Sequence, residues 1–331
     1  MQRASLCTRP ALIRSRGSSS MREMAYSGLT YAELSARFAG LRQAVVSNRR
    51  APHKPLLVLL MLGRYQRGDY GGLTFADAQT QLASLLSEFG PPSQSPNVLD
   101  PFWRLQNDGV WRVEGASGDR VAETVAPPSV GALLQSTARG NFVADVSGVL
   151  KAQPAYVARL GRDLLAAHFP NSLHDDICAA VGLELDTDGT GAVNQEQRRR
   201  DADFRPRIIR AYEHRCAVTG WDLRITNSDA GLEAAHIKWH TAGGPSVETN
   251  GLALNALHHK LFDLGAFTLS ADAAPRILVS REVHGGDFAH QMLIELHGKP
   301  MRQPQDRTWL PSREFIAWHH AEVFKGEARA V

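Results

Sequence analysis

The apolar positions Leu34, Phe38, Leu41 and Val45 recur along one face of a helix, and Thr30 followed by Glu33 supplies the capping box that would start it. Pro52, His53, Lys54 and Pro55 then open the unbroken apolar run Leu56 to Leu62. Proline suits a first helical turn and apolarity on every side suits a buried helix, so this segment is expected to be the centre of an N-terminal core. A third helix is predicted from about Thr74, with Leu82, Leu85, Leu86 and Phe89 inward before Gly90, Pro91 and Pro92 stop it. From Phe102 to Val113, two runs rich in aromatic and β-branched residues flank Asn107, Asp108 and Gly109, which predicts a β-hairpin. Tyr156, Leu160, Leu164 and Phe169 mark another helix, and the polar stretch 186–194, with Gly189 and Gly191, reads as a linker.

Beyond that linker the pattern changes. Leu232 to Ile237 is strand-like, Gly243, Gly244 and Pro245 demand a loop, His258 to Asp263 reads as a short helix ended by Gly265, and Ala266 to Leu269 starts a new strand. No internal repeat interrupts this order. The expected fold class is α+β: a mainly helical N-terminal domain with a β-hairpin over 28–182, a linker over 183–197, and a strand–loop–helix domain over 198–331.

The length of 331 residues agrees with two domains, since one hydrophobic core rarely serves so long a chain. Charge alone decides little: 37 basic against 34 acidic residues leave a net charge of +3, so local clustering must carry any argument for a polyanionic partner. Cys7, Cys178 and Cys216 are odd in number and far apart, which excludes a disulfide framework and a four-cysteine zinc site and makes a reducing cytoplasm the natural setting. The longest apolar run is far shorter than the roughly 20 residues that span a bilayer, so no membrane span is expected. Residues 1–22 hold five arginines and no acid. They imitate a transit peptide but are read, within 1–27, as a leader outside the fold or an upstream start with Met21 or Met24 the true one.

Seven arginines crowd 198–215: Arg198, Arg199, Arg200, Arg205, Arg207, Arg210 and Arg215. Such a run is often a solvated helix face, but beside the histidines that follow it is read as a phosphate-holding surface. Cutting a phosphodiester needs a base to activate water and a cation to neutralise charge on the phosphate and the leaving 3′ oxygen. His236, at the end of a strand, is the expected general base, because neutral imidazole accepts a proton near pH 7. His259 and Asp263 lie four residues apart on one helix face, a spacing that suits two ligands of one ion. Asn250 either holds the loop through its amide or gives an oxygen to the metal. Any one of 13 histidines would carry little alone; the ordered set carries the reading.

That set resembles the HNH endonuclease family, whose ββα-metal fold places a His on the first strand, an Asn in the loop and a His on the helix. The resemblance spans about residues 200 to 325 and is closest to the branch written Ala-Ala-His-Ile, Asn-Gly-Leu and His-x-x-Phe-Asp-x-Gly, all present from Ala234 to Gly265. It implies His236, Asn250 and His259 as the catalytic constellation, and His259, Asp263 and Asn250 as ligands of a divalent ion such as Mg2+ or Mn2+. The chain departs from the family at Ala235, where many members carry a metal ligand; Glu233 is a partial substitute. It also lacks the paired CxxC zinc motifs of many members, so Cys216 is expected to be a buried apolar residue.

The N-terminal half resembles the sulfur-binding domain of McrA-like restriction endonucleases. The residues that carry this are Pro52 to Leu57, then Pro101 to Leu105 with Asp108 to Trp111, then Arg139 to Phe142, over about residues 28 to 170. The resemblance implies recognition of phosphorothioate-modified double-stranded DNA, with His53, Lys54, Arg104 and Arg139 as donors and Pro101, Phe102 and Trp103 as apolar wall. Sulfur is more polarizable and less hydrated than oxygen, so an apolar pocket in a basic groove would favour it. Asp100 stands where some relatives carry tyrosine, and its carboxylate would repel a phosphate unless it faces a base or an arginine. Competing readings are an HNH nuclease directed to methylated or unmodified DNA, and a DNA-binding sensor with a degenerate nuclease fold. Two cuts by a chain with one site would call for a homodimer.

Overall fold

The box at Thr30 forms as expected: its hydroxyl accepts from the Glu33 N–H, the Glu33 carboxylate accepts from the Thr30 N–H, and α1 (Tyr31–Ala39) buries Leu34 and Phe38. The structure, a computed structural model, describes residues 28–41, 52–93, 95–115, 127–185 and 195–330, apart from the side chains of 195–202. Val45, the leader at 1–27 and the linker at 186–194 lie outside the described residues. Helix α2 (His53–Gln66) starts after Pro52 and buries Pro55 through Gly63 and Tyr65, the central position that its apolar run predicts. Thr74 caps α3 (Phe75–Phe89), whose Leu82, Leu85, Leu86 and Phe89 face inward before Gly90 ends it.

The hairpin expected over 102–113 does not form. Its first half is helical, α4 (Leu99–Arg104) followed by a 3₁₀ turn at Leu105–Asp108. Its second half is β2 (Trp111–Glu114), the edge of a three-stranded antiparallel sheet in which β3 (Arg139–Phe142) lies between β2 and β1 (Leu73–Thr74). A strand would point Phe102 and Trp103 to opposite faces. A helix buries Pro101, Phe102 and Trp103 together, and the Asn97 side chain starts it by accepting from the Asp100 N–H. Helix α6 (Ala144–Ala152) packs on β3, α7 (Pro154–His168) and α8 (His174–Val181) pack on α2, and α5 (Val130–Gln135) packs on α3. Helix α7 buries Leu160 and Leu164 as the sequence predicts.

The C-terminal part opens with α9 (Gln195–Ala211) and a short hairpin of β4 (Arg224–Ile225) and β5 (Ser228–Asp229). Strands β6 (Leu232–His236) and β7 (Gly251–Asn255) pair antiparallel, with His236 opposite Gly251, and α10 (Ala256–Asp263) follows directly, capped by Asn255. Strands β8 (Phe267–Leu269) and β9 (Ile277–Val279) pair next, before α11 (Asp287–Met292) and α12 (Arg313–Glu322). The fold is α+β, and β6, β7 and α10 form a ββα unit over a core of its own that contains the buried thiol Cys216. Trp239 and Val323 leave this part and join the N-terminal core, so the two parts meet in an apolar seam. No helix among the described residues is long and apolar enough to cross a membrane.

Candidate active site

His236 ends β6, where its ring stacks on Phe204 of α9 with centroids 3.9 Å apart. Its Nε2 lies 3.1 Å from the Ser246 hydroxyl, and which of the two donates depends on the tautomer. Burial disfavours the imidazolium, the nearby His240 adds to this, and the pKa falls to about 4. The imidazole is therefore neutral at pH 7 and able to accept a proton.

The loop between β6 and β7 is clamped by Asn250. Its side-chain oxygen accepts from the Lys238 N–H at 2.8 Å, and its NH2 donates to the carbonyls of Lys238 and Pro245 at 3.0 and 2.9 Å. Of the two roles left open by the sequence, this bonding occupies the amide in the loop. The clamp also needs Gly244, because a Cβ there would stand 1.8 Å from the Lys238 carbonyl oxygen and 2.9 Å from the Asn250 nitrogen.

His259 projects from α10 between two carboxylates. Nδ1 lies 2.7 Å from Glu233 and Nε2 lies 3.2 Å from Asp263. Burial works against its charge, but Asp263 and then Glu233 outweigh it and raise the pKa to about 10. The His259 hydrogen bond in turn holds the Glu233 carboxyl below its ordinary range. The two acids differ in access: the Glu233 side chain is 47% exposed and that of Asp263 is 1% exposed. Asp263 accepts from the Trp239 indole N–H at 2.9 Å and from the Ser172 hydroxyl. Two carboxylates around one imidazole fit a hard divalent ion in donor chemistry and charge. Among the described residues no group of three or more His, Cys, Asp or Glu is placed to hold a metal ion, so an ion bound by fewer of them would need phosphate oxygens and water to complete its shell. Ala235 is fully buried on β6 and offers no ligand.

Beside His236 lies a cleft of about 660 Å³ lined by Asp203, Pro206, Arg207, Arg210, His240, Pro245 and Ser246. The arginine run divides here. Arg205 donates to the Leu232 carbonyl, and Arg207 pairs with Glu248 and donates to the Ser246 carbonyl, so both brace the site. Arg210 is exposed in the cleft wall. Arg215 lies 3.7 Å from Asp222, and the side chains of Arg198, Arg199 and Arg200 lie outside the described residues.

In the N-terminal part, His53 and Lys54 open α2. Lys54 pairs at 2.5 Å with Asp108, whose side chain is wholly buried, so this ammonium is engaged within the fold. Asp100 does face an arginine: Arg104 Nε lies 2.8 Å away, and that hydrogen bond, with Asn97 beside it, keeps the carboxyl below its ordinary range. Pro101, Phe102 and Trp103 are buried, and Phe102 packs edge-on against Phe75 and Trp111, so these three face the core rather than an open surface. Arg139 is exposed on β3, its guanidinium 3.5 Å from the Gly71 carbonyl.

Phe204, His240, Ser246, Trp239 and Ser172 belong to the site without being visible in the sequence. Each acts by contact with His236 or Asp263 across the fold, and no spacing announces such contacts.

Residues 31–186 match the family model of the ScoMcrA-like DNA sulfur-binding domain, and residues 216–270 match an HNH endonuclease model. No curated protein matches the chain. Similar solved structures include the sulfur-binding and SRA domains of ScoMcrA complexed with phosphorothioated DNA, at 22% identity and TM-score 0.39, covering 45% of this chain and 46% of that one. The sulfur-binding domain of SprMcrA, also complexed with phosphorothioated DNA, aligns at 22% identity and TM-score 0.39 over 46% of this chain and 94% of that one. The restriction endonuclease ScoMcrA itself aligns at 23% identity and TM-score 0.34, and only 27% of its chain is covered. The chain thus spans about half or less of the longer relatives, and its residues 31–186 and 216–270 are similar, in that order, to a ScoMcrA-like sulfur-binding domain and to an HNH endonuclease domain.

Proposed function

We propose that this protein is a restriction endonuclease that recognises phosphorothioate-modified DNA through residues 28–182 and hydrolyses nearby phosphodiesters through residues 198–331. The observation that carries the reading is the neutral imidazole of His236, set at the edge of a basic cleft on a ββα unit with the Glu233–His259 pair on its helix side. His236 takes the proton from the attacking water. Phe204 fixes the plane of its ring, and Ser246 shares Nε2 until substrate enters. Asn250 keeps the loop in place, so that Ser246 and His240 line the cleft. Arg210 and His240 hold the phosphate backbone, while Arg207 braces the loop behind them.

Glu233 and His259 are the residues that would hold a divalent ion, with Asp263 fixing the imidazole from behind; that ion, when bound, would stabilise charge on the phosphate and the leaving oxygen. His259 must release its proton to act as a ligand, which Glu233 is placed to assist.

For recognition, the family-model match over 31–186 supports a sulfur reader, and His53, Arg104 and Arg139 are the proposed donors to DNA. Lys54 fixes the start of α2 through Asp108. The test is equilibrium binding, in chelator, to two duplexes of one sequence that differ only in a phosphorothioate linkage. Tighter binding of the modified duplex is expected, and equal binding across a salt series would remove the sulfur-reading half of the proposal. A second reading, a DNA-binding sensor that does not cut, draws on Ala235 and on the engaged carboxylate of Asp263; nicking of plasmid that depends on a divalent ion rejects it.

A further inference from the structure

Asp263, the last residue of α10, lies at the seam between the two parts of the chain. One carboxylate oxygen accepts from the Trp239 indole, and the other accepts from the Ser172 hydroxyl and faces His259 Nε2. Ser172 sits in the 3₁₀ turn Asn171–Leu173 between α7 and α8, 91 positions earlier in the chain and inside the sulfur-binding domain. The same turn is gripped a second time. Lys260, next to His259, donates to the Ser172 carbonyl and pairs with Asp176 of α8. Around these polar contacts the seam is apolar and closed: Trp239 is 2% exposed, packs edge-on against Trp318 and belongs to the N-terminal core together with Val323. At its far end the Lys325 ammonium donates to the carbonyls of Ser87 and Gly90 at 3.0 and 2.8 Å.

From this arrangement we propose that Ser172 is a positioning residue for the nuclease. The recognition domain holds Asp263 through the Ser172 hydroxyl, and Asp263 holds His259, so the active-site helix takes its final geometry from the domain that reads DNA. The inference rests on the nuclease reading for its catalytic consequence and on the seam itself for its structural one. Without the Ser172 hydroxyl, the outer Asp263 oxygen keeps only His259, and the carboxylate is free to turn about the bond that the indole alone then restrains. Partners that orient a ligating histidine in this way change activity or metal affinity about 10- to 100-fold when removed.

The test compares the full chain with its Ser172→Ala and Ser172→Thr variants, reading cleavage rates, duplex binding in chelator and amide hydrogen exchange in α10. Ser172→Ala is expected to lower kcat at least about tenfold while KM and duplex affinity stay near wild type, and Ser172→Thr, which keeps the hydroxyl, to restore it. Exchange in α10 is expected to quicken in the alanine variant alone. Unchanged kcat together with unchanged exchange would overturn the proposal. If the wild-type chain cuts nothing under any divalent ion, the nuclease reading fails separately, and the exchange measurement still decides: faster exchange confined to Ser172→Ala sustains the seam, and equal exchange in all three proteins ends it.

Discussion

Two histidines close enough for the charge of one to act on the other, His236 and His259, are driven to opposite charge states. Burial and His240 depress His236 to about 4, whereas two carboxylates raise His259 to about 10 despite burial. A depressed imidazole pKa means the base is already neutral through the physiological range. A raised one means that an ion bound at His259, as proposed, would have to displace its proton, so apparent metal affinity would climb with pH by about tenfold per unit below that pKa. Cleavage at limiting Mn2+ is therefore expected to rise with pH, and at saturating Mn2+ to lose its dependence between about pH 6 and 8. A profile that falls with pH at limiting metal would contradict the assignment of His259. At the same scale, His236→Ala should lower the cleavage rate by about 10² to 10⁴ while duplex binding is retained, since it removes a base and no phosphate contact. Activity close to wild type in single-turnover assays would remove His236 from the mechanism. The sequence named both histidines, because strand end and helix face are local properties. It could not give their charge states, which come from Phe204, His240, Glu233 and Asp263 across the fold.

Among the elements, helices were legible where a capping residue or an unbroken apolar run marked them, as at Thr30 and Thr74 and along the Leu56 to Leu62 run. Residues 102–113 were misread because aromatic enrichment does not separate a buried short helix from a strand. The true partner of β2 is β3, reached only through the long connection between them. That pairing explains Gly140, which lies opposite Val113 in the ladder: a Cβ there would stand 2.1 Å from the Trp111 ring. Gly140→Ala should cost about 1–3 kcal/mol by overpacking, seen as a lower denaturant midpoint with an unchanged m-value. A midpoint equal to wild type would show that Trp111 can move aside. In the C-terminal part, β6, α10 and β8 followed the predicted order because glycine and proline punctuate it so clearly, whereas β7 lies in the stretch between loop and helix where no strand was predicted.

For the whole molecule, the two-part organisation was visible in the sequence, but the seam between the parts was not. Ser172 and Trp239 meet Asp263 only in the folded chain, and nothing at either position marks it for that contact. DNA binding belongs to this scale because its electrostatics are summed over the surface. Arg104→Ala and Arg139→Ala should each weaken binding to modified and ordinary duplexes alike and reduce the salt slope by about one ion, as expected for lost phosphate contacts. A slope identical to wild type in both variants would place these arginines away from DNA.

The central claim is that one chain couples sulfur recognition to phosphodiester hydrolysis at His236. The most direct measurement is cleavage of two plasmids of identical sequence, one carrying phosphorothioate linkages, by the wild-type chain and His236→Ala with Mg2+, with Mn2+ and with chelator. The account predicts cutting of the modified plasmid by the wild-type chain alone and only with a divalent ion, and it is contradicted if both plasmids are cut equally, if His236→Ala cuts as well as wild type, or if cleavage persists in chelator.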